Sequence, residues 1–119
     1  MGIDIFIKGV PYSRWKVRGD REAAHRWTHD VRRQTKNIPK VQRRVSVNLK
    51  FVLPLDKYPP DFPDGPDLDN LLKRLFDALG NTIFSKVAGK DSAIVRLTAS
   101  KRKVRRGEQT GVRMTLNEL

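Results

Sequence analysis

The 119-residue chain contains no cysteine. Small secreted domains usually depend on disulfides, so a reducing, cytoplasmic setting is expected. The start, MGIDIFIKGV, lacks a basic segment followed by an apolar one, and so does not read as a secretory signal. No apolar run approaches the ~20 residues that span a bilayer. No basic helix with a bulky apolar face is evident either, which argues against a membrane partner. GxxxxGK[ST] and GxGxxG are both absent, so nucleotide hydrolysis and dinucleotide binding have no support. Histidine is scarce. His25 and His29 stand four apart with only Arg26, Trp27 and Thr28 between them. They lack the further ligands and the catalytic glutamate that a zinc enzyme needs.

Acidic residues are the other scarcity, at 13 against 25 Lys and Arg, for a net charge of +12. Such a chain seeks a polyanion, and nucleic acid is the leading candidate. The imbalance is uneven. Residues 1–50 hold 13 basic against 4 acidic residues, and residues 81–119 hold 9 against 3. Residues 51–80 reverse the ratio, with 3 against 6. An acidic patch repels phosphate, and a divalent cation is the usual reason for one on a phosphate-binding protein.

The length suits one domain, residues 1–119, with a single core. Ile3, Ile5 and Ile7 alternate with polar neighbours in a strand over 3–10. Asp20 is an N-cap for a helix to about Thr35, whose apolar stripe is Ala23, Ala24, Trp27 and Val31. Residues 43–53 form the clearest strand, with Val45, Val47, Leu49, Phe51 and Leu53 on one side. Residues 54–66 hold five of the seven prolines and read as an irregular loop. A second helix covers about 67–80, with Leu68, Leu71, Leu72, Leu75 and Leu79 on one stripe. Residues 82–91 carry no clear pattern. Residues 92–104 read as a strand with Val95, Leu97 and Ala99 inward. A turn at Arg106-Gly107-Glu108 makes a hairpin with a last strand through Val112, Met114 and Leu116. The order β-α-β-α-β-β predicts an α+β fold, a small mixed sheet with two helices packed on one face.

On the second helix, Asp69, Lys73 and Asp77 share the band opposite the leucines, with Asn70 and Arg74 beside it. Asp67 stands at the helix start. A bland account makes these a dipole-favoured N-terminal charge and ordinary surface pairs. A functional account reads adjacent carboxylates as repelling one another until a cation neutralises them. Mg²⁺ takes hard oxygen ligands, commonly one or two carboxylates. Phosphodiester hydrolysis needs such an ion, and a nearby lysine to stabilise developing charge.

The run DLDNLLKRLFDALG, followed by KDSAIVRL and Lys101, resembles the RusA family of Holliday-junction resolvases. The pattern is Asp67-x-Asp69-Asn70 opening a helix, Lys73 four residues on, Asp77-Ala78-Leu79 near its end and Asp91 before a strand. The tight match covers about residues 66–101. The resemblance implies a homodimer that binds four-way DNA junctions and nicks two strands symmetrically with Mg²⁺. It implies Asp67, Asp69 and Asp91 as metal ligands, Lys73 as catalytic and Asn70 as supporting. One departure is visible. The family commonly has two acidic residues in a row at the last position, and here Lys90 precedes Asp91.

Lys90 and the run Lys101, Arg102, Lys103, Arg105 and Arg106 are candidate DNA-backbone contacts, the run lying at the hairpin. Trp27 fits the core, while Trp15, Tyr58 and Phe62 lie in loops where they could meet DNA. Two function classes stand at this point, a metal-dependent nuclease and a non-catalytic nucleic-acid-binding module with structural aspartates. A PD…(D/E)xK nuclease fits poorly, because Asp91 is followed by Ser-Ala.

Overall fold

The computed structural model describes residues 2–12, 22–54, 67–87 and 90–119, with the backbone alone for Lys90 and Asp91. Its elements are β1 (Gly2–Lys8), α1 (Ala23–Thr35), β2 (Val45–Leu53), α2 (Leu68–Leu79), a 3₁₀ turn (Lys90–Ala93), β3 (Ile94–Lys103) and β4 (Gly111–Glu118). The α+β class and the order β-α-β-α-β-β are as the sequence predicts. The expected cap Asp20 and the residues Trp15, Tyr58 and Phe62 lie outside the described residues. The N-cap position of α1 is Glu22, which makes no side-chain capping bond.

The sheet is mixed, in the order β1-β4-β2-β3. β4 is antiparallel to both β1 and β2, and β3 runs parallel to β2. The alternation of β2 explains its central place. Val45, Val47, Leu49, Phe51 and Leu53 are all buried, while Asn48 and Lys50 are exposed. Val112, Met114 and Leu116 of β4 are buried on the same side. Against that side pack Trp27 and Val31 of α1 and Leu71, Leu75 and Leu79 of α2, so the core lies between sheet and helices. Each fully buried leucine contributes about 1.5–3 kcal/mol by leaving water.

Two expectations are corrected. The last two strands do not form a hairpin, because β2 separates β3 from β4. The connection 104–110 instead passes the end of β2, where Val104 N donates to Leu53 O at 2.7 Å. The all-apolar inner face of β4 earns it an interior place, whereas β3, rich in Lys and Arg, suits an edge. Gly107 provides the turn at φ +84°, and Gly111 at φ +152° lies so close to β1 that a Cβ would meet Ile7 O. The second correction concerns Val95, which the alternation predicts inward and which is 53% exposed; Leu97 is level with Val47 on the inner face, as predicted, but is 42% exposed. The register of β3 shifts between Val45 and Ser46, leaving Val95 unpaired, and both residues lie on the edge strand.

The helices are tied together at their C-terminal ends. Thr35 Oγ1 donates to Val31 O at 2.7 Å and lies 2.8 Å from Thr82 Oγ1, both residues being buried. Val41 N donates to Ile83 O at 2.8 Å, which anchors the end of α2 near the start of β2. Among the described residues no helix is long and apolar enough to cross a membrane.

Candidate metal and nucleic-acid site

The leucines of α2 fix which way its polar band points. With Leu71, Leu75 and Leu79 buried, Asp69, Lys73 and Asp77 are left exposed. Asp67 occupies the N-cap position with extended backbone, φ −55° and ψ 135°, yet its carboxylate makes no capping bond. Asp69 sits in the first turn. The helix dipole favours negative charge at both positions.

The surface pairs of the bland account are not made. Among the described residues, no ion pair joins Asp69 to Lys73, or Asp77 to Lys73 or Arg74. The carboxylates keep their lone pairs available. Asn70, Lys73, Arg74 and Asp77 line a shallow depression of about 240 Å³. Arg74 is held over the ring of Tyr12, 5.4 Å from its centroid, which steadies one wall of that depression. Tyr12 carried no signal in the sequence, since it belongs to no regular element.

Asp91 is not brought beside Asp67 and Asp69 by the topology. It lies in the 3₁₀ turn, three residues before Ile94, which pairs with Val45 at the start of β2. The C-terminal end of α2 faces that same end of the sheet, through Val41 and Ile83. The N-terminal end of α2 points the other way. Arg74, midway along α2, already reaches Tyr12, which follows the far end of β1. Asp67 and Asp91 therefore lie toward opposite ends of the sheet. No group of three or more potential metal ligands occurs among the described residues, which exclude the Asp91 side chain.

The basic run divides between the two faces of β3. By strand alternation Lys101 and Lys103 share a side with Leu97 and Ala99, and Arg102 points to the opposite one. Arg102 is already matched. Its guanidinium donates to both carboxylate oxygens of Glu108, at 2.7 and 2.5 Å. That hydrogen bond, followed by one from the Arg105 backbone N–H, holds the Glu108 carboxyl down at about 2. Arg105 and Arg106 are exposed at the turn. His25 and His29 are exposed on α1, and Trp27 is buried in the core.

Fold and site together define a small basic α+β protein with two carboxylates opening one helix that make no ion pair among the described residues. A model of the RusA endodeoxyribonuclease family matches residues 14–117 of the 119, and the chain belongs to that family. The family points to an endodeoxyribonuclease that resolves Holliday junctions. No curated protein matches the chain.

Proposed function

We propose that the chain is a Mg²⁺-dependent endonuclease that acts as a homodimer and resolves four-way DNA junctions by paired symmetric nicks in recombination and repair. The observation that carries this reading is the exposed set Asp67, Asp69 and Lys73 at the start of α2, with no ion pair holding it among the described residues, in a RusA-family chain. The donor chemistry fits Mg²⁺, because two carboxylates two residues apart offer only hard oxygen atoms. Mg²⁺, when bound, supplies an activated water and neutralises charge on the phosphoryl group. Asp67 and Asp69 are the residues that would hold that ion. The Lys73 ammonium, four residues after Asp69, donates to a phosphoryl oxygen as negative charge grows on it. Asn70 orients the same oxygens from the adjacent helix position.

The placement of Asp91 gives the dimer a catalytic purpose. One chain sets Asp91 apart from Asp67 and Asp69, so a second copy placing its own 3₁₀ turn against α2 completes the ligand set. Twofold symmetry then yields two such sites, one for each strand to be cut. Lys90, Lys101, Lys103, Arg105 and Arg106 serve as backbone contacts, adding salt-dependent affinity.

A non-catalytic binding module is the competing reading, and Asp69→Asn separates the two. The variant should lose cleavage of a synthetic junction while binding it as well as or better than the parent, since a charge that repels phosphate is gone. Retained cleavage at ordinary Mg²⁺ would exclude Asp69 as a ligand.

A further inference from the structure

The two helices cover one face of the sheet, and among the described residues no helix covers the other. By alternation, the cations of that other face among the described residues are Lys8, Lys50, Arg96, Arg102 and Arg113. Two of these are spent. Arg113 pairs with Asp4 at 3.2 Å, and Arg102 is held by Glu108. Lys8, Lys50 and Arg96 are exposed and have no acidic partner among the described residues.

Their positions follow from the register. Lys8 is level with Gly111 and Val52, Lys50 with Arg113 and Phe6, and Arg96 with Ser46 and Asn117. The three charges thus run diagonally, from the end of β1 through the middle of β2 to the start of β3. At strand spacings of about 4.8 Å and rises of about 3.3 Å per residue, the steps are roughly 12 and 14 Å. Beside this track lie Ser46, Asn48 and Thr98, uncharged side chains able to hydrogen-bond phosphate.

We propose that this open sheet face is a second nucleic-acid surface, which grips the sugar-phosphate backbone of a duplex DNA arm. The apolar side chains Val52 and Phe6 on this face are buried and half-buried, so what it presents outward is polar groups and unpaired positive charge, which fit a polyanion and not an apolar protein partner. Stacking on a single strand is disfavoured, because Phe6, the only aromatic ring on this face among the described residues, is half-buried and lies under Arg113 at 5.7 Å. The face lies on the side of the sheet away from α2, so the arm bound here is not the segment at the carboxylates. The choice of DNA as the polyanion rests on the proposed nuclease reading.

The test is binding of the full chain to a fluorescent 24-base-pair duplex and to a four-way junction, without Mg²⁺, across a salt titration. Removing two phosphate contacts in Lys50→Ala/Arg96→Ala should flatten the log–log salt slope by about 1.8. Between 50 and 200 mM salt the parent should then lose about twelvefold more affinity than the variant. Lys50→Arg/Arg96→Lys should keep the parental slope, and Thr98→Glu alone should weaken binding, which guards against a folding defect in the double variant. An unchanged slope in the alanine variant overturns the proposal. So does a slope lost instead in Arg32→Ala/Lys36→Ala, which would put the duplex on the exposed face of α1. Preference of the parent for single strands over duplex also overturns it. Because no step needs cleavage, a chain that binds in this way but never cuts would sink the nuclease reading and leave this surface standing.

Discussion

Replacing Lys73 by alanine separates chemistry from structure most sharply. Lys73 is exposed on α2 and makes no ion pair among the described residues, so it contributes little to the fold. Surface changes of this kind stay within about 0.5 kcal/mol, and alanine is a better helix former than lysine. The melting temperature should therefore move by less than about 4 °C. The rate should move far more. Losing one positioned donor to a developing oxyanion costs about 2.7–4 kcal/mol, or 10²–10³ in rate. Lost affinity should be small, since one phosphate contact among many is removed. The assay is single-turnover cleavage of a labelled four-way junction at saturating protein, with binding measured separately in the absence of Mg²⁺. A rate within threefold of the parent, with normal affinity, would refute the role given to Lys73. Equal loss of rate and folding would show that it is a structural residue.

The proposal that two copies share each site can be tested by complementation. Asp69→Asn and Asp91→Asn chains, each inactive alone, should regain single-strand nicking when mixed, because one of the two composite sites is then intact; no recovery, with mixed dimers demonstrated, would place all three aspartates within one chain. Leu75→Ala should lower stability by about 2–5 kcal/mol in urea unfolding at unchanged m, since Leu75 is fully buried in the helix–sheet core; a change under 1 kcal/mol would contradict that packing. The Glu108 carboxyl, observed by NMR, should titrate at about 2. A depressed carboxylate gives its stabilisation above the ordinary glutamate range and loses it as pH falls through the folded value, so the Arg102–Glu108 clamp should persist at pH 4 and open near 2. A midpoint in the ordinary range, or no change of that midpoint in Arg102→Ala, would show the clamp absent in solution.

Much of this architecture was legible because its elements obey one period each. The leucines of α2 and the alternation of β2 fixed both the elements and their buried faces, and through them the outward direction of Asp69 and Lys73. What failed was non-local. Adjacent strands in sequence suggested a hairpin, and only the competition for interior positions put β2 between β3 and β4. Val95 alternates like an inward residue, but the register shift of an edge strand leaves it unpaired and exposed, and Leu97, on the inner face, is only partly covered at that edge. The candidate ligands show the same limit. Asp67 and Asp69 are neighbours by helix geometry and could be read directly. The separation of Asp91 depends on which end of the sheet each crossover reaches, and no spacing in the sequence encodes that. Residues 82–87, which had no periodic signal, form turns held by backbone bonds to Leu79, Thr82 and Phe84.

The most direct test of the account is cleavage of a synthetic four-way junction by the purified chain, with Mg²⁺ and with Mg²⁺ plus excess chelator, read strand by strand on a denaturing gel. The expected result is a symmetric pair of nicks in opposing strands that disappears with the chelator and returns when Mg²⁺ is restored. Tight junction binding with no cleavage under any divalent cation would contradict it, as would cutting that the chelator leaves untouched.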